Sequence, residues 1–496
     1  MDTDKISVDG TAPDSDAKQT LNKTSGNADT QKRLLQIGLW FIPAMAAIAL
    51  CRKAITFADL GWQLQLGRLM AAEGPFLHER FLASHLGEAL LPNAWLAQML
   101  YAGVFDWTGL RGLRAVDGLL WISGPLLATI PVRLRVAKPI PVLYALAIGF
   151  AVALPSSSIR PQSFASLGFG LALVLIHEVR SWRTGLLLGL PLFVIWQNLH
   201  PSVPVAALII GAIAAVQWGQ FLVGKAARPV ALTVLAIAAG LAVFATPAGT
   251  AIVTFARYNA TASIAFGATE WFPLWHPYHR AAFFSVLASA AVVLFVAVQQ
   301  RKVVPVCELV PALITFALAM TAARFVLFYA IAIVPLLTRL DIGSGPAIRA
   351  GLRKILADSA VAALLVVLVC VFRPQTGNDR QVAVALIQRL HQGTVFCDPA
   401  LGGAIILDGY PNWQVSFDGR YFLYPRSEIA LLSRAASDGG VVADIERTYH
   451  PAAYALNASR SAALVQELAA HPEIWRRIYD NGESVLFVRI PPLAAR

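Results

Sequence analysis

Residues 94–107 read Ala-Trp-Leu-Ala-Gln-Met-Leu-Tyr-Ala-Gly-Val-Phe-Asp-Trp, and the topology turns on whether they cross a bilayer. The apolar run Ala94–Phe105 is about a dozen residues, against the roughly 20 that a spanning helix needs. Read as an interfacial helix, it leaves the later basic loops on one face: Arg133, Arg135 and Lys138; Arg180 and Arg183; Lys225 and Arg228; Arg301 and Lys302; Arg339, Arg349, Arg353 and Lys354. Read as a span, it moves all of them to the outer side, against the positive-inside rule. The interfacial reading does leave Arg52, Lys53, Arg111 and Arg114 on the outer side.

Outward from that stretch, apolar runs at 34–51, 114–132, 139–155, 162–177, 185–199, 203–222, 229–246, 281–298, 306–322, 325–338 and 357–372 read as about eleven spans. The chain is 57% hydrophobic and 14% charged, with a mean hydropathy of +0.61. Soluble domains carry about 25% charged residues, so the composition is that of a membrane protein. The net charge of +11 sits in short loops beside apolar runs, where it sets orientation. No nucleic-acid partner is expected.

Residues 1–33 are polar and predict a disordered cytoplasmic tail. Lys32 and Arg33 then hold the start of an uncleaved signal anchor inside. Residues 34–373 form the transmembrane domain, with a first outer loop at 52–112. Residues 379–496 read as a small α/β domain on the outer, periplasmic side. In it, Gln381–Leu390, Ser427–Ala436 and Ser461–Ala469 have helical spacing, and Thr394–Cys397, Ala404–Leu407, Gln414–Asp418 and Ser484–Arg489 read as strands. None of the four cysteines forms a CxxC pair, so neither a disulfide framework nor a zinc site is expected. Cys397 reads as a small apolar packing residue.

Residues able to do chemistry collect on the face opposite the basic loops. Asp59 follows the first span, where it can act as a general base or simply cap a helix. Arg160, followed by Pro161, and Arg324, at a hairpin tip with almost no loop, can clamp a phosphate or snorkel to headgroups. Asn198 and His200 close an apolar span and need partners, structural or catalytic. Glu270 lies beside Trp271, where desolvation can raise a carboxyl pKa as a general acid requires; a solvated loop glutamate is the alternative. His276, His279, Trp62 and Glu79 lie in the same outer segments. Ser416–Arg420 reads as a strand-to-turn corner. The C-terminal region contains no GxSxG, metal-ligand spacing or phosphate loop.

In order, Asp59-Leu60-Gly61-Trp62 with Gly67, Arg160-Pro161-Gln162, Trp196 with Asn198 and His200, Glu270-Trp271, Arg324-Phe325 and Phe417-Asp418-Gly419-Arg420 resemble a bacterial group of GT-C-like membrane proteins, within the wider likeness to GT-C-type glycosyltransferases. Enzymes of that superfamily take sugars from polyprenyl-phosphate carriers. The resemblance implies a GT-C-like fold, with Asp59 as the catalytic acidic residue of the first outer loop. Glu270 and His200 complete the candidate catalytic set. Arg324, Arg160, Asn198, Trp62, Trp271 and His276 are the candidate substrate-binding set. The implied partners are a polyprenyl-phosphate-linked sugar, membrane lipid, and an envelope glycan, lipid or protein acceptor at the outer face of the inner membrane. Gln63 stands where the group usually has His, Ala94 where it often has Glu, and Asp59 has no second acid within two residues. A divalent metal is therefore not favoured, and no other cofactor is expected. Two rivals stay open: a non-catalytic carrier-binding envelope component, and a transporter with Glu308 as the buried ionisable group.

Overall fold

The computed structural model describes residues 15–135, 138–301, 304–341, 349–372 and 375–490. The first helix, α1 (Ser15–Cys51), begins well before the expected span. Residues 15–33, expected to be disordered, continue it, while 1–14 lie outside the described residues. No proline interrupts 15–42, so turns can propagate outward from the apolar segment, adding one bond per residue fixed.

The segment 52–112 holds α2 (Phe57–Glu73) and the start of α3 (Trp95–Ala128). At Gly109, φ is +65° and the helix breaks, a conformation that residues with a Cβ rarely adopt. The kink divides the amphipathic 95–108 arm from the apolar segment that follows. The remaining bundle comprises α4 (Ile130–Arg135), α5 (Pro139–Ala153), α6 (Gln162–Glu178), α7 (Trp182–Leu199), α8 (Val203–Leu222), α9 (Val230–Ala242), α10 (Ala251–Ala265), α11 (Arg280–Gln299), α12 (Val306–Thr321), α13 (Val326–Leu337) and α14 (Leu352–Val371). A helix thus stands at each of the eleven expected spans. Among the described residues, five helical stretches are long and apolar enough on their own: 29–51, 139–156, 203–222, 277–299 and 352–371. Every residue of α13 is buried, as befits a helix that is apolar all round and central to its bundle.

The C-terminal region contains α15 (Asp379–Ile387), β1 (Gly393–Cys397), α16 (Pro399–Gly409), β2 (Trp413–Val415), α17 (Arg426–Arg434), α18 (Val441–Tyr449), β3 (Ala453–Asn457), α19 (Ala462–Ala470), β4 (Trp475–Asp480) and β5 (Ser484–Arg489). The sheet order is β2-β1-β3-β5-β4. Strand β1 runs parallel to β2 and β3, and β5 runs antiparallel to β3 and β4. Ala404–Leu407, expected as a strand, lies inside α16. Asp398 starts that helix by accepting a hydrogen bond from the Ala400 N–H at 2.9 Å, and Pro399 follows it, a combination that favours helix initiation.

Two apolar cores result. One fills the bundle around α13. The other joins α2 and the 94–102 arm to the C-terminal sheet, with Phe57, Leu60 and Leu64 packed among Val395, Ile405 and Phe417. Helices α2 and α16 touch backbone to backbone. A Cβ on Gly61 would lie 1.8 Å from the Gly403 carbonyl oxygen, and one on Gly403 would lie 2.1 Å from that of Phe57. The connectors run alongside each other as well: Ile55 N donates to Gln375 O at 2.7 Å, and Gly377 N to Ile55 O at 2.8 Å. The candidate site lies at the seam between the two cores. At the opposite end of the bundle, basic residues pair with acids: Arg133 with Asp358 at 2.8 Å, Lys138 with Asp341 at 2.6 Å, and Arg339 with Glu308 at 2.8 Å.

Candidate functional site

Asp59 sits in the first turn of α2. Its carboxylate does not cap the helix; Oδ2 pairs with Arg160 Nη2 at 2.7 Å. The other amino group of Arg160 donates to Glu270 Oε2 at 2.8 Å. One guanidinium therefore bridges two carboxylates carried by α2 and by the short helix Thr269–Trp271. Arg324 lies on the face of Trp271, 3.9 Å from the ring centroid, and forms no ion pair among the described residues. Its hairpin tip is fixed from below, because Gln162 Nε2 donates to the Arg324 carbonyl at 3.0 Å. Ala323 N donates to Phe272 O at 3.1 Å, which ties the tip to the Glu270 loop.

His200 follows α7. Trp196 Nε1 donates to Ser202 Oγ at 3.0 Å, and that hydroxyl lies 2.8 Å from His200 Nδ1. Burial, then the charge of Arg324, hold the imidazole down to about 3. His200 is therefore a neutral imidazole at physiological pH.

The two carboxylates are pushed apart. Burial raises the Asp59 carboxyl above its usual range against the pull of Arg160, with Glu270 and Asp418 adding to the rise. Burial also acts to raise Glu270, but Arg160 and Arg324 outweigh it and leave that carboxyl lowered. Glu270 is thus not held protonated by its aromatic neighbour, because two guanidiniums face it. A pair split in this way has one member that stays ionised and another suited to proton exchange.

These residues line one cavity of about 1470 Å³, which also receives Trp62, Trp271 and Tyr421. It exceeds the roughly 300–1,000 Å³ of ordinary small-molecule pockets. Val205, Leu208, Phe244, Leu318 and Phe328 line it from the bundle, and Asp398, Ser433 and Arg460 line it from the C-terminal region. The Trp62 indole N–H is buried at the site, facing the Asp59 carboxylate.

Asn198 and His276 do not line the cavity. The Asn198 amide is consumed structurally: it accepts from Trp95 Nε1 at 2.6 Å and donates to the Val194 and Ala245 carbonyls at 2.8 and 2.7 Å. His276 accepts from Tyr278 N at 3.3 Å and packs on Phe272. Among the described residues no group of three or more His, Cys, Asp or Glu side chains is placed to hold a metal ion.

Gly419, read in the sequence as part of a strand-to-turn corner, closes over Asp59 so tightly that a Cβ would lie 1.9 Å from Oδ1. Two further contributors escaped sequence reasoning. Tyr421 lines the cavity beside Gly419 and stacks on Phe266 at 4.8 Å. Asp117, buried in α3, accepts from Ser163 Oγ at 2.6 Å and from Tyr101 OH at 3.0 Å. That phenol also lies 3.2 Å from the Arg160 carbonyl, so the Arg160 turn hangs from Asp117. The only local cue was a carboxylate inside an apolar span, which by default reads as functional or paired.

No family profile matches the chain, and no curated protein matches it. Among solved structures it is similar to ArnT from Cupriavidus metallidurans, crystallised bound to undecaprenyl phosphate. The two are 11% identical, with a TM-score of 0.51, and the likeness covers 94% of this chain and 99% of that one. The chain is a multi-pass membrane protein that shares its fold with ArnT.

Proposed function

We propose that this protein transfers a sugar from a polyprenyl-phosphate carrier to an envelope glycan, lipid or protein acceptor at the outer face of the inner membrane. The observation that carries the reading is the cavity itself, whose lining joins apolar bundle residues to Arg324, Arg160, Asp59 and His200. The prenyl chain would lie against those apolar residues. The phosphodiester would meet Arg324, which forms no ion pair among the described residues, and His200. The acceptor would enter beside the lining residues of the C-terminal region. ArnT, with undecaprenyl phosphate bound, supports a carrier of this class.

In the reaction, the acceptor hydroxyl oxygen attacks the anomeric carbon as the bond from that carbon to the phosphate oxygen breaks. Asp59 takes the hydroxyl proton, and the electron pair leaves with the prenyl phosphate. Negative charge grows on the departing phosphate, where fixed cations contribute most. A single displacement inverts the anomeric centre. The raised Asp59 carboxyl makes the rate climb with pH through an apparent pKa above the ordinary carboxylate value. The proposed frame is eleven spans with a cytoplasmic N-terminus, the ion-paired basic end inside and residues 379–496 in the periplasm.

The test is turnover of a prenyl-phosphate sugar by the purified full-length protein. Asp59→Asn should lower the rate by at least about 100-fold while the labelled carrier still binds. Binding without turnover in the wild type, unchanged by Asp59→Asn, would favour the non-catalytic reading, which the Asp59–Arg160 pair at 2.7 Å makes the specific rival.

A further inference from the structure

Cys51 is the last residue of α1, and Cys370 stands one residue before the end of α14. They lie 319 residues apart in sequence, yet their sulfurs are 3.6 Å apart. Both are free thiols, Cys370 buried and Cys51 partly exposed. The backbone around Cys51 is held by Arg114, which donates to the Leu50 and Lys53 carbonyls at 2.9 and 2.6 Å and brings a positive charge next to the thiol. Cys370 rests on α3 at Gly118, where a Cβ would come within 2.8 Å of its sulfur. That glycine is what leaves Cys370 room beside Cys51.

The pair sits where two chain segments start a shared path. Beyond it, Ile55 bonds to Gln375 and Gly377, and the Phe57 N–H donates to Asp379. Asp59 comes two residues later. A bond between the sulfurs would tie α1 to α14 at the root of the connector that delivers the candidate base.

We propose that Cys51 and Cys370 are a dithiol–disulfide pair that forms a covalent staple between α1 and α14. The Cys51 thiolate attacks a disulfide-form oxidant, RS–SR, and displaces RS⁻. Cys370 then gives up its proton and attacks the Cys51 sulfur, displacing the second RS⁻. Two protein thiols are oxidised, and one RS–SR is reduced to two RSH. The sulfurs must close to about 2.0 Å, a movement open to residues in the last turns of two helices. Oxidation in the cell rests on the outer-face reading of the site, because disulfides persist in oxidising compartments.

The experiment uses the full-length protein, both in membranes from growing cells and purified in detergent with added oxidised glutathione. Samples are acid-quenched, unfolded in SDS, alkylated and digested without reductant. The expected result is a linked peptide pair containing Cys51 and Cys370, two hydrogens lighter than the sum and separated by dithiothreitol, with Cys307 and Cys397 alkylated throughout. Cys51→Ser should leave Cys370 alkylated, and oxidation should raise the Tm of the wild type but not of that variant. Full alkylation of both thiols in folded, monodisperse protein after oxidant treatment would overturn the pair, as would glutathione trapped on Cys51 alone. A link formed in detergent but never in cells would support the pair and overturn the outer-face reading.

Discussion

Arg324 and Arg160 lie in one cavity but face different electrostatic situations. Arg160 is saturated by Asp59 and Glu270, whereas Arg324 has an aromatic face beneath it. The first is part of the resting scaffold, and the second is free to meet an anion. Arg324→Gln should cut transfer by about 100-fold or more, the scale of losing one charge-stabilising donor. Arg324→Lys should recover little of it, since an ammonium neither stacks on Trp271 nor presents a planar fork. Steady-state kinetics with a prenyl-phosphate sugar measures both. At this scale the sequence was informative where an ionisable residue stands at the end of an apolar run or in the loop beyond it: Asp59, Arg160, His200, Glu270 and Arg324 all reach the cavity. It misled where the neighbouring backbone could absorb a polar group. Asn198 turns back on the Val194 carbonyl of its own helix, and His276 bonds two residues ahead. Polar residues at span ends read alike in sequence whether they face a cavity or a carbonyl.

Elements enter the site as rigid pieces whose contacts set where the side chains fall. The 418–421 segment is one such roof. In Gly419→Ala the new Cβ meets the Asp59 carboxylate at 1.9 Å, so either the roof lifts or Asp59 rotates off Arg160. The expected outcome is a loss of at least about tenfold in transfer, with the melting temperature changed by only a few degrees, the scale of about 1 kcal/mol. Helix α17 forms another wall, and His85 of the first outer loop holds it. The His85 ring lies 3.2 Å from Glu428 of α17 and 3.1 Å from Glu88. The hydrogen bond to Glu428, against the cost of burial, raises the imidazole to about 9, with Glu88 adding to it. Since this exceeds the ordinary 6.5, the pairing contributes its full stability below pH 6.5, and the contribution is lost as pH rises through about 9. Melting temperatures followed from pH 6 to pH 10 should fall across that upper range in the wild type, and His85→Gln should flatten the drop.

At the scale of the whole molecule, the bundle was legible because each span is a local event: a long apolar run must form a helix to satisfy its backbone in lipid. Strand β5 and helix α17 were equally legible from local periodicity. The union of the first outer loop with the C-terminal sheet was not, since it depends on contacts between residues more than 300 positions apart. Glycine-to-glycine packing of α2 on α16 leaves no pattern in either stretch. The same holds for the ion cluster that locks the two together. Arg420 donates to Asp418 Oδ2 at 2.6 Å and to Glu79, and all three side chains are at most 1% exposed. Glu79 Oε1 also accepts from the Phe81 and Leu82 N–H groups at 2.6 and 3.0 Å, which fixes the loop backbone. Removing one partner strands the others: Arg420→Met leaves two buried carboxylates without their cation, at a cost of about 3–5 kcal/mol. The substitution should lower the melting temperature, open the 77–85 and 416–424 segments to protease, and abolish transfer because the roof over Asp59 is released. Adding Glu79→Gln and Asp418→Asn to Arg420→Met removes the stranded charges. If charge burial is the dominant cost, the triple variant melts above the single one, although its roof still lacks the bridge that joins loop to sheet. A triple variant no more stable than Arg420→Met would instead assign the loss to the broken hydrogen bonds rather than to the buried charge.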